Sequence, residues 1–514
     1  MDWTSGYVSD IEYTSGFYRE QSPAWLNFVC LLNGIEPVDL QQPFTYFELG
    51  FGRGLTAQLV AASHPNGQFY AADFNPAHVA GASALAKQAQ LSNLTLLENS
   101  FEELAHGQAK AALPQFDFIT LHGIYSWVTA ENRRHIVEFI GRYLKPGGVV
   151  YLSYNAMPGW APALPLQRLL VEYADAFPNR SDVQIKGATE FVGQLEAVKA
   201  GYLSANPGLK VRLDSLKTAS PHYLVHEYLH KHWQPLFHAD VARDLADAKM
   251  TFAGPADLAY AYPMVFLNDE QRQLIERLPH PEMRETLKDY LLNTSFRKDV
   301  FVRGAQHIGA RRQSELLAQV GLALTVPRTA ASARMKLTLG EVNGHEALYN
   351  VVFDTLAQRP HTLAELQQLP ALAGQNIHAL AQVAALLSAS NQAVFYFPVP
   401  DGADHTAAAR LNAALAAQTR YGDEHQALCA PLLSNGIAAN FLERLFLAAI
   451  HQQAELTPES LARVAWQIMA PSGRRLQKDG VTLQSEQDNL ALLEIHAKGF
   501  LAIGLPLWRT LQVL

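Results

Sequence analysis

The sequence predicts an α/β fold: a doubly wound parallel sheet with helices on both faces, then a helical insertion and a mainly helical C-terminal region that includes a winged-helix-like unit. Three observations carry that reading. From Phe44 to Tyr154 short apolar runs alternate with longer stretches of helical spacing, the pattern of strand–helix crossover units. A glycine-rich turn, Gly50-Phe51-Gly52-Arg53-Gly54, joins the first such run to the first helical stretch. After Trp160 the pattern is helical through about Asp247 and again from about Ala310.

Strands are expected at Phe44–Leu49, Gln68–Asp73, Leu94–Glu98, Phe116–His122 and Gly148–Tyr154. Each is short and apolar enough to be covered on both faces. Helices are expected at Leu55–Ser63, Ala77–Leu91, Phe101–Leu113 (broken or partial) and Glu131–Leu144. The last is closed by Lys145-Pro146-Gly147-Gly148, which stops a helix and turns the chain. In such a fold the ligand lies at the carboxyl ends of the strands. Met250–Ala253 and Asp299–Arg303 are strand-like and could add a final antiparallel pair.

A chain of 514 residues is too long for one ordinary domain. Four units are expected: 1–160, the ligand-binding core with an N-terminal lid; 161–305, the insertion and last strands; 306–400, the winged-helix-like unit; and 401–514, a helical domain. A polar link is expected at Pro400–His405. Forty Lys and Arg stand against 48 Asp and Glu, so no long-range field draws the chain to phosphate backbones or anionic lipid. Glu346–Phe397 reads as three helices and a strand, yet no Lys or Arg occurs between Pro360 and Ala409. A recognition helix at Asn376–Leu387 therefore could not neutralise phosphates, and protein docking or a homodimer contact is the expected role.

Cys30 and Cys429 are the only cysteines, which suggests neither a disulfide framework nor a cysteine metal site. The start, Met1 to Gly6, lacks a basic, apolar export signal. Apolar segments such as Phe441–Ile450 are too short to span a bilayer. A cytoplasmic protein without nucleic-acid or membrane partners is expected.

The turn itself discriminates among cofactors. Its spacing is G-x-G-x-G, where a dinucleotide fingerprint needs G-x-G-x-x-G, and Gly54-Leu55-Thr56 lacks the lysine of a phosphate-binding loop. Glu48-x-Gly50-x-Gly52-x-Gly54 resembles instead the first motif of class I S-adenosylmethionine-dependent methyltransferases, whose sheet is Rossmann-like. The resemblance implies S-adenosyl-L-methionine as cofactor, and no metal is expected. It implies that Asp73, ending the second strand, accepts hydrogen bonds from both ribose hydroxyls, and that Phe74 lies beside it. It places Asn99, Ser100 and Phe101 at the adenine and His122 beside the methionine part. Each residue also has a plain structural role open to it: a strand-end acid, a helix cap at Asn99-Ser100, core rings and a buried imidazole.

Methyl transfer is an in-line displacement that depends on alignment and the exclusion of water. A lysine acceptor must arrive neutral, which a desolvated aromatic pocket promotes. Tyr125 and Trp127 after the fourth strand and Tyr154 after the fifth are the candidates at the acceptor mouth. Tyr13, Phe17 and Tyr18 could form a lid. The segment His222–Tyr262 and the run Ser295–Arg303 resemble bacterial methyltransferases with a methyltransferase regulatory domain, some of which are protein-lysine methyltransferases of outer-membrane proteins. A protein side chain, lysine first, is therefore the expected acceptor. A small-molecule methyltransferase and a non-enzymatic cofactor-binding interaction protein are the alternatives. His226-Glu227-Tyr228-Leu229-His230 fits H-E-x-x-H, but Trp233 stands where the longer motif has glycine and no glutamate lies between Glu227 and Glu270. A packed or polar helix face is the reading adopted for it.

Overall fold

The computed structural model describes residues 16–398 and 402–514. Tyr13, the polar start at 1–6 and Pro400 of the expected link lie outside the described residues.

Five parallel strands form the centre of the molecule: β1 (Phe44–Leu49), β2 (Gly67–Asp73), β3 (Leu94–Glu98), β4 (Phe116–Leu121) and β5 (Leu144–Asn155). Two more, β6 (Met250–Pro255) and β7 (Phe296–Arg303), complete a seven-stranded sheet in the order β3-β2-β1-β4-β5-β7-β6. β7 runs antiparallel to both neighbours. The last pair is the one expected from Met250–Ala253 and Asp299–Arg303, but both strands are longer. Arg297 and Lys298 extend β7 toward its start because Arg297 is held inside by carboxylates, which hides a strand from a hydrophobicity pattern.

The order reverses between β1 and β4, which opens a crevice at their carboxyl ends. Around it stand α1 (Pro23–Leu32), α2 (Leu55–Ser63), α3 (Pro76–Gln88), α4 (Phe101–Ala105) and α5 (Ala130–Tyr143). The short α4 ends where the expected helix through Leu113 does not continue. α5 closes at Tyr143, and the Lys-Pro-Gly-Gly run is the irregular beginning of β5. Lys145 fixes it by an ion pair of 2.7 Å to Asp117.

Nine of the ten residues of α1 are buried. Ser22 caps it by accepting from the Trp25 amide, and the Trp25 indole donates to the Ala256 carbonyl at 2.8 Å. Phe28 stacks on Phe395 with centroids 3.9 Å apart. One hydrophobic cluster thus joins the sheet to the unit built from helices Glu346–Leu356, Leu363–Gln367 and Ile377–Ala389. That unit holds a three-stranded antiparallel sheet with Gly321–Leu324 central between His361–Thr362 and Ala393–Tyr396. Its central strand lies ahead of the Glu346 limit read from sequence, because four apolar residues carry no period.

A second cluster packs Leu55 and Leu59 of α2 and Leu85 of α3 against Leu411, Leu415 and Phe446. Both cysteines are free and buried. The C-terminal helical stretch Glu486–Thr510 is, by length and composition, long and apolar enough to cross a membrane. The sequence reading did not single it out, since Glu494 and Lys498 interrupt it. Its Leu493, Ala497, Phe500 and Trp508 are buried in this second cluster.

Candidate active site

A cavity of about 270 Å³ occupies the crevice. Its floor is the turn after β1, where Gly50, Gly52 and Gly54 all take positive φ, at 68°, 58° and 74°. Two of them show why glycine stands there. A Cβ on Gly50 would meet Ile124 Cδ1 at 2.6 Å, whereas one on Gly52 would meet nothing within 4 Å and would project into open space. Gly52 is thus the place where backbone can come close to a ligand.

Asp73 ends β2 on the cavity wall, 6% exposed. Its Oδ2 accepts the Gly52 amide at 2.8 Å, and its Oδ1 accepts the Asn75 amide at 2.9 Å and lies 3.2 Å from His78 Nδ1. A carboxylate has about four acceptor positions, so one remains for a ribose hydroxyl. Binding both hydroxyls requires His78, the longest of the present contacts, to yield.

Glu48 is the second buried acid. Its Oε1 accepts from Gln21 Nε2 at 3.3 Å, while Oε2 has no hydrogen-bond partner among the described residues. Burial, with the charge of Asp73 added, pushes its carboxyl up to about 8. Without ligand the group is therefore largely a neutral carboxyl near neutral pH, and a positive charge brought beside it would favour its ionised form.

At the other end of the crevice Phe74, Asn99, Ser100 and Phe101 all line the cavity. Ser100 also caps α4 in a reciprocal capping box with Glu103. Asn99 Nδ2 donates to Glu103 Oε2 at 3.1 Å, and Asn99 Oδ1 accepts the Lys110 amide. The capping and lining roles hold together. Beyond β4, His122 stacks on Tyr18 with centroids 3.6 Å apart and lies 2.7 Å from the Tyr151 hydroxyl. Burial, then the charge of Lys298, lowers the imidazole to about 3, so His122 stays neutral at physiological pH. The Tyr18 backbone amide donates to Thr56 Oγ1 at 3.0 Å.

Of the three aromatic residues expected at the acceptor mouth Trp127 lines the cavity, as does Tyr18 of the expected lid. Tyr125 and Tyr154 do not, and this corrects the sequence reading. Both are fully buried. The Tyr125 hydroxyl donates to Asp244 at 3.0 Å and the Tyr154 hydroxyl to Asp299 at 2.6 Å. Ile124 takes the cavity-facing place after β4, so its neighbour Tyr125 points into the core. Tyr154 lies within β5, where alternate residues face opposite sides of the sheet. Phe17, the other proposed lid ring, packs over Gly436 in the C-terminal domain.

Sequence reasoning missed His226, His230 and His232, which close the cavity beside Trp127. The helix Pro221–Tyr228 ends before His230, so the H-E-x-x-H residues do not share one continuous helix. The His226 and His230 rings lie 6.1 Å apart, and Trp127 meets His230 edge-on at 5.2 Å. Burial, reinforced by the neighbouring histidines, holds His230 near 3. The available signal was the cluster of histidines itself, read as helix-face packing. Thr56, His78 and Asn132 were also missed; single polar residues inside helices carry no signal of their own.

The fold and this site define a class I S-adenosylmethionine-dependent methyltransferase. A family model described as "Methyltransferase domain" matches residues 47–150, and one described as "Predicted methyltransferase regulatory domain" matches residues 220–303. The second match contains β6 and β7, so the regulatory segment completes the sheet. An uncharacterized protein of Synechocystis sp. is 36% identical over the whole of both chains. An uncharacterized protein of Rickettsia prowazekii is 24% identical over 56% of this chain and 51% of its own. Among solved structures, PKMT2 from Rickettsia typhi in complex with AdoHcy matches 97% of this chain and 99% of its own, with a TM-score of 0.71 at 16% identity. The chain belongs to the S-adenosylmethionine-dependent methyltransferases that carry a methyltransferase regulatory domain.

The residues fit the cofactor: an open face at Gly52, a remaining acceptor position on Asp73 and the unpartnered Glu48 oxygen suited to a cation. When bound, S-adenosylmethionine supplies a methyl group on a positively charged sulfur. The chain itself aligns and encloses. Tyr18 and Trp127 line the cavity, and His122 and His230, neutral through burial, add no charge that would repel the cofactor.

Proposed function

We propose that this methyltransferase modifies protein side chains and that its acceptor is a lysine amine. The observation that carries the reading is the make-up of the reacting end. It is walled by Tyr18, Trp127 and histidines with depressed basicity, and residues of the regulatory segment, His226, His230 and His232, help to line it. Such surroundings favour the neutral form of an entering amine. The likeness to PKMT2 spans the accessory regions as well as the sheet, which supports a function needing the whole assembly. The three-helix unit at 346–396, winged-helix-like in sequence and free of Lys and Arg after Pro360, serves as a protein-docking surface.

Incubation of the full chain with methyl-tritiated S-adenosylmethionine and fractionated lysate tests this directly. Label recovered in methylated lysine after protein hydrolysis is the expected result. Label confined to metabolites, or to another amino acid, overturns it.

A further inference from the structure

The Tyr18–His122 stack is a partition with a cavity on each side. One is the cofactor crevice. The other is a recess of about 500 Å³ that shares only Tyr18 and His122 with it. We infer that this recess receives the basic side chain of the acceptor and feeds it past Tyr18 to the cofactor, an assignment that rests on the protein-lysine reading above.

The recess has the chemistry for an ammonium on a slender apolar stem. Tyr18, Phe296 and Tyr260 present rings to it, and Phe296 meets His122 edge-on with centroids 6.0 Å apart. Aromatic faces attract an ammonium group and cover alkyl carbons. Asp257 supplies negative charge. Its Oδ1 accepts the Ala259 amide at 3.1 Å, and no salt bridge engages it among the described residues. The one cation on the wall, Lys298, is neutralised by Glu20 at 2.6 Å. The adjoining pocket, which shares Asp257, Tyr260, Phe296 and Lys298, adds Glu285, Asp289 and Asp299 against Lys288 and Arg297. A cation entering here therefore meets the Asp257 carboxylate, which shares its field with Arg19 but makes no salt bridge among the described residues.

The geometry also supplies an entrance and a movable element. Thr338 and Leu339, in the turn of the hairpin Arg334–Leu337/Gly340–Asn343, lie at the rim of the recess, with Thr338 exposed. His122 is anchored to Tyr151 on the sheet. Tyr18 is held by its backbone amide to Thr56, so a rotation of its ring, with the backbone in place, is the movement this route requires. Lysine's flexible four-carbon stem suits such a slot, whereas the wider planar guanidinium of arginine does not. As the ammonium passes from Asp257 into the aromatic wall it gives its proton to solvent and arrives as the neutral amine with its lone pair free.

Nα-acetyl-lysine N-methylamide is the probe, added to the full chain saturated with AdoHcy and followed by saturation-transfer NMR at its ε-methylene protons. The norleucine analogue serves as control. Asp257→Asn keeps the side-chain cap on the Ala259 amide but removes the charge, and Leu339→Trp fills the rim. Wild type is expected to bind the lysine probe in preference to the control. Asp257→Asn should weaken that binding about tenfold or more, and Leu339→Trp should abolish it, with AdoHcy affinity unchanged in both. Unaltered probe binding in both variants overturns the recess. If wild type labels lysine in lysate and the two variants do so at the same rate, the recess is wrong and the protein-lysine reading stands. If wild type labels no lysine at all, that reading falls and takes the recess with it.

Discussion

The amide of Gly52 donates to Oδ2 of Asp73 across 2.8 Å, tying the open face of the glycine turn to the carboxylate at the end of the neighbouring strand. Parallel register makes the contact possible. Glu48 pairs with Ala71 and Leu49 with Ala72, so the two strands deliver their ends to the crevice at the same height. One side chain thereby fixes the turn while keeping an acceptor position for the ligand.

Glu48 gives the apo protein a pH signature. Its folded pKa of about 8 lies above the ordinary 4.5, so between these values the folded state holds a proton that the unfolded state has lost. Stability from this group is therefore full below about 4.5 and declines as pH rises to about 8. Glu48→Gln should remove that decline. Thermal unfolding from pH 5 to 8 without cofactor should show the variant gaining on wild type as pH rises, and a pH-independent difference would contradict it.

Tyr154→Phe and Tyr125→Phe separate structure from catalysis. Loss of the hydroxyl that donates to the buried Asp299 should cost roughly 1.5–3 kcal/mol in stability, and loss of the one that donates to Asp244 about 1 kcal/mol. Denaturant titration reads both. AdoHcy affinity should stay at the wild-type value, and a tenfold loss in either variant would restore these tyrosines to the site.

Arg297 joins Asp289 at 2.8 Å, Asp299 at 2.9 Å and Glu285 at 3.2 Å inside the molecule. Arg297→Met strands these carboxylates and should destabilise the fold by roughly 3–5 kcal/mol. Denaturant unfolding followed by tryptophan fluorescence checks this, with near-wild-type stability as the contrary result.

The sheet was legible because its five parallel strands are short apolar runs punctuated by turn residues, and β1 and β3 fall on the boundaries read from sequence. The cofactor side was legible for a related reason. A glycine turn and a strand-end acid sit at fixed places on such a sheet, so Gly52 and Asp73 could be placed by position alone. The acceptor side was not. Whether Tyr125 or Ile124 faces the cavity depends on the twist of a short turn. His226, His230 and His232 come from a segment about a hundred residues beyond β4 and meet the crevice only through tertiary packing. β7 was partly hidden because Arg297 and Asp299 are buried as an ion pair, which reads as surface in any hydrophobic pattern.

Calorimetric titration of S-adenosylmethionine and AdoHcy into wild type, Asp73→Ala and Gly52→Val measures the central claim. A side chain at the left-handed Gly52 costs about 1–2 kcal/mol in backbone strain, too little to unfold the domain, and circular dichroism confirms folding in the same samples. Wild type should bind both ligands, with binding lost in both folded variants. Undiminished affinity in both would place the cofactor elsewhere and contradict the account.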